Sequence, residues 1–473
     1  MHLRIKKTFL GLILLSIGIY SSTANAWIDC YWSYRSDVSI TEQSGTPLTD
    51  YQVELSLDVS SFHSNYNWSS NGDDLRLIDT DDSTQLDFFI KSWDSVAQTA
   101  TLWVKMSLTA SQTKTIYLYY GNTDASSASN AGVTFTETGI KFHTRYSTAN
   151  PTNKSDAFSS FNAAADGVAG YGCSIITNFT NISNHAVYAP PSVNMNFGAY
   201  SETFFEVSVA EAGLWEFRYG ADFGRGGGLY VDGVALDEKW NTDLWWAYNW
   251  NNTTEILQGS ISLTSGYHTL EVIGFEGCCD GGITVQFKKP GDAFKSYSDA
   301  NINVNSRKCP VAEPAIAYSN AVVEVPSIVI TKTSTVLSDP VQGITNPKRI
   351  PGAIVRYLVS VSNTGSAADR DTININDPIP ANVKLMVTAG HIGFSDGSPA
   401  SGLNFSYDPL NPASDDITFS DDNGASFLYI PVADAEDADS DVTQINLQPA
   451  GRLGCSNTGA AYEFSLFYDV IIE

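Results

Sequence analysis

Four of the ten tryptophans in this chain fall within eleven residues, in the segment Trp240-Asn241-Thr242-Asp243-Leu244-Trp245-Trp246-Ala247-Tyr248-Asn249-Trp250. The Asn, Thr and Asp residues among them are typical of an exposed loop. An indole ring combines an apolar face with a polar N–H, which suits stacking on the C–H faces of sugars and on other amphipathic ligands. A second interpretation, in which the same rings pack into the core, stays open. The candidate ligand-binding residues of this segment are Trp240, Asp243, Trp245, Trp246, Tyr248, Asn249 and Trp250.

Catalytic and metal-binding signals are weak elsewhere. The five histidines after residue 26 never occur at H-x-x-x-H spacing, so zinc is not indicated. The glycine-rich segment Gly224-Arg225-Gly226-Gly227-Gly228 leads into a strand-like pattern rather than a helix, which indicates a turn. Acidic loops at 79–82, 421–423 and 434–439 offer oxygen ligands without EF-hand spacing. We predict no enzymatic activity and no cofactor, with bound calcium left possible.

The six cysteines of the chain all lie beyond residue 26. An even number in an exported chain predicts three disulfides, and six cysteines allow fifteen connectivities. The adjacent pair Cys278-Cys279 either closes on itself, which gives a strained ring, or gives each cysteine its own partner. The residues alone leave both alternatives open.

Composition excludes several classes of protein. The chain has 473 residues, which suggests about three domains. Its formal charge is −26, so nucleic acids and anionic membrane surfaces would repel it. Only 16% of residues are charged, while 12% are aromatic and 36 are glycine, a balance typical of strand-rich exported proteins. We therefore predict an all-β fold.

Residues 1–26 have the features of a cleaved signal peptide. Three basic residues precede an apolar run from Phe9 to Tyr20, and Ala24-Asn25-Ala26 provides a small-x-small cleavage site. The run is shorter than the roughly 20 apolar residues that span a bilayer. No later stretch is long and apolar enough to do so, and the predicted mature chain carries a charge of −29. The expected location is secreted or at the bacterial cell surface.

Period-two alternation of apolar residues predicts strands throughout the mature chain. We expect three consecutive β-sandwich domains at 27–125, 132–303 and 327–473, with a proline-containing linker at 304–326. The first block contains, in order, segments 32–35, 48–53, 74–76 and 119–122 that resemble a domain of unknown function numbered 2341, DUF2341. This family occurs in large prokaryotic surface proteins, including one encoded with pilus genes of the mannose-sensitive haemagglutinin type, and has no assigned chemistry.

The middle block resembles the PA14 β-sandwich. The resemblance rests on segments 213–233, 266–272 and 285–291, and covers roughly 90 residues. PA14 modules occur in glycosidases, toxins and lectin-type adhesins, which implies carbohydrate binding as an expectation. At the turn where lectin-type relatives carry an Asp-Asp calcium chelator, this chain has only Asp222, which we add to the candidate ligand-binding residues. Paired cysteines of such adhesins imply separate partners for Cys278 and Cys279, with Cys173 and Cys309 expected.

The C-terminal block resembles the surface-protein repeat called domain of unknown function 11, DUF11. The motifs are 351–365, which reads G-x-x-V-x-Y-x-V-x-V-x-N-x-G in part, and Asp377-Pro378-Ile379-Pro380. This resemblance implies an immunoglobulin-like fold that acts as a spacer.

Together these features predict an exported adhesin or carbohydrate-binding protein whose partner is a glycan or surface polymer. The alternative is a structural component of the surface that binds a pilus or another envelope protein and has no small ligand. An accessory protein of a secreted hydrolase is a third, less favoured class.

Overall fold

The computed structural model describes residues 28–165, 167–188, 195–279, 281–309, 313–411, 414–455 and 460–473. The predicted signal peptide lies outside this range. Strands dominate, and the described α-helices are short, so the prediction of an all-β fold is confirmed. None of the helices in the described ranges has the length and apolar character needed to cross a membrane. The helices are α1 (Ala131–Thr134), α2 (Lys154–Ala163) and α3 (Asn184–Val187).

The first domain consists of two antiparallel sheets around one core. One sheet contains β1, β3 and β6, and the other has the order β2-β5-β4. The alternating residues place Val53 opposite Val104 and Leu55 opposite Leu102, and all four side chains are buried. The strands are β1 (Tyr34–Thr41), β2 (Leu48–Leu57), β3 (Arg76–Ile78), β4 (Phe88–Asp94), β5 (Thr99–Leu108) and β6 (Thr113–Tyr120).

The segment predicted to be a linker contributes strands to these domains. Strands β21 (Ala315–Tyr318) and β22 (Val322–Val323) both pair with β1 of the first domain. Ile316 and Tyr318 pack against the first domain's core, and this apolar contact outweighs the effect of nearby prolines, which edge strands tolerate. Residues 315–323 therefore belong to the first domain rather than to a free linker.

The middle domain packs a large sheet against a smaller one. The large sheet has the order β14-β13-β17-β10-β20-β7, with β8 and β9 attached beside β10, and the smaller sheet has the order β16-β11-β18-β19. Aromatic residues of both sheets, including Phe205, Trp215 and Phe287, share one buried core. The strands are β7 (Glu137–Thr138), β8 (Ile140–Tyr146), β9 (Cys173–Ile176), β10 (Phe197–Val207), β11 (Gly213–Gly220), β12 (Asp222–Phe223), β13 (Gly226–Val231), β14 (Val234–Trp240), β15 (Leu244–Trp245), β16 (Ile256–Leu263), β17 (Gly266–Glu276), β18 (Thr284–Lys288), β19 (Lys295–Ser296) and β20 (Val304–Ser306).

The third domain is also formed by antiparallel sheets. Its main sheet has the order β23-β24-β33-β26-β30, with β27 beside β33, and faces the sheet β25-β31-β29. The last strand of the chain shows period-two alternation, since Phe464, Leu466 and Tyr468 are all buried. The strands are β23 (Ile328–Ser338), β24 (Ile354–Asn363), β25 (Ile375–Pro378), β26 (Val383–Met386), β27 (Ile392–Asp396), β28 (Leu403–Asn404), β29 (Ile417–Ser420), β30 (Ala438–Asp439), β31 (Gln444–Leu447), β32 (Ala450–Gly451) and β33 (Tyr462–Ile472).

A disulfide connects the beginning of the described chain to the third domain. Cys30 and Cys455 are joined across 425 positions of sequence. Beside them, the buried guanidinium of Arg452 donates to the side chain of Asn122 at 2.7 Å and to the carbonyl of Tyr31 at 3.0 Å. These contacts hold the first and third domains together although they are far apart in sequence.

Candidate ligand site

The aromatic segment is positioned by a short two-stranded sheet. Strand β15 pairs with β12 so that Asp222 lies opposite Trp245 and Phe223 lies opposite Leu244. Phe223 and Leu244 are fully buried and anchor the pair to the core. Because successive side chains of a strand point to opposite faces, Asp222 and Trp245 lie on the outer face.

The adjacent residues Trp245 and Trp246 lie in different environments, one exposed and one buried. The side chain of Trp246 is only 3% exposed, and its indole N–H donates to the carbonyl of Gly282 at 2.9 Å. Trp245 is 42% exposed and Tyr248 is 54% exposed, with their ring centroids 5.9 Å apart and nearly perpendicular. Trp246 is therefore a core residue, and the prediction that it belongs to the exposed platform is wrong.

Three other candidates of the segment have local structural contacts. The Trp250 ring is half-buried, and the guanidinium of Arg218 lies 4.2 Å from its centroid. Trp240 ends β14 and packs against a small cluster that includes Phe161. The side chain of Asn249 accepts from the backbone N–H of Asn251 at 3.0 Å. None of these three lines the groove beside Trp245.

That groove has a volume of about 570 Å³. Of the predicted ligand-binding residues, it brings together Asp222, Asp243 and Trp245. Tyr248 adjoins Trp245 through its ring. The opposite wall of the groove was not predicted from the sequence, although the unusual run Gly277-Cys278-Cys279 marks it. The additional lining residues are Gly224, Arg225, Glu276, Gly277, Cys278 and Cys279.

Glu276 holds this opposite wall in place. Its buried carboxylate accepts backbone N–H groups of Gly277 at 2.5 Å, Cys278 at 2.6 Å and Gly224 at 3.1 Å. Burial raises the pKa of Glu276 above its ordinary value, although these backbone donors act in the opposite direction. The carboxyl group thus organises two loops at once, and it is more readily protonated than an exposed glutamate.

The glycines that follow the cysteines allow the wall to pack on the aromatic segment. A Cβ on Gly281 would lie 2.5 Å from Oδ2 of Asp222 and 2.9 Å from Cζ3 of Trp245. The N–H of Gly282 donates to the Tyr248 hydroxyl at 3.2 Å. The contact distances leave no room for a side chain, so this Gly-Gly pair lets the two walls form one site.

The cysteine pairing differs from the expected one. Cys173 and Cys309 are joined to each other, so neither is available to Cys278 or Cys279. The expected pairing of those four cysteines is wrong, because β9 and the segment after β20 bring Cys173 and Cys309 to a Cα separation of 5.5 Å. Cys278 and Cys279 are exposed and unbonded.

The acidic loops considered for calcium use their carboxylates locally. Asp81 accepts backbone N–H groups of Ser83 and Thr84, and Asp422 accepts that of Ser426. Asp434 accepts the N–H of Glu436. In the described part of the chain, ligand atoms of acidic, histidine and cysteine side chains cluster at one place, Asp29 with Cys30 and Cys455, and the two sulfurs there form a disulfide.

A second cavity, of about 580 Å³, lies between the first and middle domains and is lined by buried charges. Glu202 on β10 is ion-paired with Lys91 on β4 and with Arg307, whose Nε lies 3.2 Å from Oε2 of Glu202. The Arg307 guanidinium also lies 3.8 Å from the ring centroid of Trp103. These residues come from three distant parts of the chain, and no sequence motif marked them.

Lys141 on β8 lines the same cavity and is 1% exposed. Burial, followed by the charge of Arg307, lowers its pKa from 10.5 to about 7. Between about pH 7 and pH 10.5, the Lys141 amine is protonated in the unfolded chain but neutral in the folded protein. The free energy of unfolding should therefore rise with pH over this range. We expect Lys141→Met to remove this slope and to stabilise the protein at pH 7 by about 1 to 4 kcal/mol.

Urea unfolding of both proteins across this pH range checks the prediction. Lys295→Met is the matched control, because Lys295 is exposed and lies outside the cavity. Equal slopes for the wild type and Lys141→Met would show that Lys141 carries its ordinary charge in the folded protein.

Comparison with known proteins finds one sequence family. The profile described as "Domain of unknown function (DUF2341)" matches residues 71–162. This match confirms the DUF2341 resemblance, and it extends beyond the predicted boundary at 125 to include most of α2. No curated protein matches the chain. The resemblances to DUF11 and to pilus-locus proteins remain predictions.

Comparison of the structure finds PA14 domains. The PA14 domain of the antifreeze protein MpAFP matches 36% of this chain and 93% of its own, at 16% identity and a TM-score of 0.27. The PA14 sugar-binding domain from an RTX adhesin matches 36% of this chain and 100% of its own, at 17% identity and a TM-score of 0.28. The Epithelial Adhesin 9 A domain from Candida glabrata, in complex with Galb1-3GlcNAc, matches 37% of this chain and 93% of its own, at 10% identity and a TM-score of 0.25. The chain is thus similar to the DUF2341 family over residues 71–162 and, over about a third of its length, to solved PA14 domains.

Proposed function

We propose that this protein is an exported, non-catalytic surface protein that binds a glycan or a similar amphipathic polymer through the groove of its middle domain. The observation that carries the proposal is the exposed indole of Trp245, which lies beside the carboxylates of Asp222 and Asp243 in a groove of about 570 Å³. An aromatic face stacks on sugar C–H groups, and carboxylates accept hydrogen bonds from hydroxyls.

Several features support this assignment over the alternatives. The strongly acidic composition disfavours nucleic acid and anionic membranes as partners. Two disulfides are typical of oxidising compartments, which supports export. The alternative of a structural or pilus-associated component predicts that the groove has no ligand and that the three-domain assembly itself is the function.

Substitution of Trp245 tests the proposal. We expect Trp245→Ala to weaken glycan binding by roughly tenfold or more, because a lost stacking contact costs about 1 kcal/mol plus the apolar area it buries. The free energy of unfolding should change by only about 1 kcal/mol, since the side chain is 42% exposed and lies outside the buried core. Glycan-array screening of the full mature chain, followed by calorimetry on the best ligand, measures the effect.

Leu214→Ala is the matched control, because Leu214 is an exposed apolar residue of the same domain outside the groove. It should bind like the wild type. Binding is also expected to persist with EDTA, because the carboxylates of the groove do not form a metal cluster in the described part of the chain. If no glycan binds the wild type, or if Trp245→Ala binds equally well, the structural alternative is favoured.

A further inference from the structure

The two cysteines left outside the disulfides lie in contact with each other. Sγ of Cys279 is 2.9 Å from Sγ of Cys278, and both residues are exposed. The chain has six cysteines, and the other four form the pairs Cys30–Cys455 and Cys173–Cys309. Within one molecule, the remaining partner of each cysteine is therefore its neighbour.

The backbone already has a conformation suited to a turn at this point. Cys279 has a φ of +67°, in the left-handed region that residues other than glycine rarely adopt. The N–H groups of Gly277 and Cys278 both donate to the buried carboxylate of Glu276, which holds the turn from one side. From this arrangement, the sulfurs need to approach by only about 1 Å to reach bonding distance.

The contact also suppresses thiolate formation. The hydrogen bond between the two sulfurs, followed by the charge of Cys279, raises the pKa of Cys278 to about 11. A thiol with a raised pKa is a poor nucleophile near neutral pH, which slows attack by Cys278 on every disulfide, structural or external. Its neighbour is already in place, so local closure is favoured over exchange with distant sulfurs.

We propose that Cys278 and Cys279 are joined by a disulfide between adjacent residues, and that this ring forms one wall of the groove opposite Trp245. In its formation, an Sγ–Sγ bond replaces two S–H bonds. The two thiols give up two protons and two electrons to an external disulfide, which is thereby reduced to two thiols. The ring presents polarisable sulfur to the groove and fixes the loop that packs on Asp222 and Trp245. This inference does not depend on whether the ligand is a glycan.

Mass spectrometry of the full exported chain tests the bond directly. The protein is purified without reductant, alkylated while denatured, and digested with trypsin. Cleavage after Lys239 and Lys288 leaves both cysteines on one peptide without any other cysteine. We expect this peptide to be unalkylated, lighter than its dithiol form by two hydrogen atoms, and not cross-linked. The cross-linked peptides carrying Cys173 and Cys309 serve as the internal control.

Alkylation of both residues before reduction, or a cross-link from this peptide to any other, including one in a second molecule, would overturn the proposal. A second measurement tests the role of the ring in the groove. In the Cys278→Ser/Cys279→Ser variant, hydrogen exchange at the backbone amides of positions 277 and 278 should be several-fold faster than at the same positions in the wild type. Exchange in β11, in the same domain, should be unchanged. Equal exchange at Gly277 and Cys278 in both proteins would show that the ring does not fix the wall.

Discussion

Replacement of Glu202 by glutamine is expected to destabilise the folded protein by about 3 to 5 kcal/mol. The side chain of Glu202 is 1% exposed and forms ion pairs with both Lys91 and Arg307. Glutamine keeps the size of the side chain but removes the charge. The two cations then lose their shared buried counter-ion. The partners that remain, Glu271 at 3.3 Å from Lys91 and Glu313 at 3.7 Å from Arg307, offset their desolvation less completely.

Low pH should also reduce the stability of the wild-type protein. Burial alone would raise the pKa of Glu202, but the charges of Lys91 and Arg307 outweigh it and hold the pKa below its ordinary value of 4.5. The unfolded chain therefore takes up this proton at a higher pH than the folded protein. The contribution of Glu202 is complete above about pH 4.5 and is lost as the pH falls through the folded-state pKa.

Denaturant unfolding at neutral and acid pH measures both effects. The matched control is Glu216→Gln, because Glu216 pairs with Lys288 at 2.7 Å but its side chain is 38% exposed. Exposed pairs contribute about 1 kcal/mol or less, so this variant should be nearly as stable as the wild type. If the two variants lose similar stability, the cluster around Glu202 is hydrated rather than buried.

The second large effect is expected for Trp246→Ala, which should destabilise the middle domain by about 3 to 5 kcal/mol. The buried indole fills the space beside Gly220, where a Cβ would lie 2.4 Å from its Cδ2 atom. Its N–H donates to Gly282, so the substitution also removes a buried hydrogen bond. The substitution therefore leaves a cavity in the core. It also breaks the hydrogen bond that connects the aromatic segment to the loop that follows Cys278 and Cys279.

Trp245→Ala provides the matched comparison, because it removes the same side chain from the next position. Thermal and denaturant unfolding of the two variants should separate them by several degrees or more in melting temperature. Glycan binding should show the reverse order when it is measured well below the melting temperature of each variant. If Trp245→Ala were the more destabilising of the two, the assignment of core and surface would have to be exchanged.

Local patterns were sufficient for the fold class because strand formation depends on neighbouring residues. The period-two alternation that predicted strands includes Val53, Leu55 and Leu57, and the structure buries all three in β2. Residues 304–326 were predicted to form a linker because they contain several prolines. A proline shows only that one backbone N–H is missing, and it does not prevent the neighbouring residues from pairing at a sheet edge. Whether Ile316 finds a sheet edge depends on β1, which lies more than 270 residues earlier in the chain.

In the candidate site, too, local features were predicted from the sequence and long-range contacts were not. The sequence marked the aromatic segment and Asp222, because residue type and composition are local properties. It did not distinguish Trp245 from Trp246, since the two are adjacent and identical. The register of β15 with β12 decides which indole faces the core. The cysteine-bearing wall is separated from the aromatic segment by about thirty residues, and the two meet only in the folded protein, through Gly281 and Gly282.

Composition and short-range periodicity were therefore sufficient to predict the all-β class, the acidic charge, the even number of cysteines and the aromatic segment. The tertiary structure alone decided that Cys30 pairs with Cys455 and Cys173 with Cys309. It also decided that Lys91, Glu202 and Arg307 share one buried cavity between two domains. The physical reason is that pairing and burial depend on distances between residues far apart in the chain, and those distances are set by how the sheets pack rather than by local sequence.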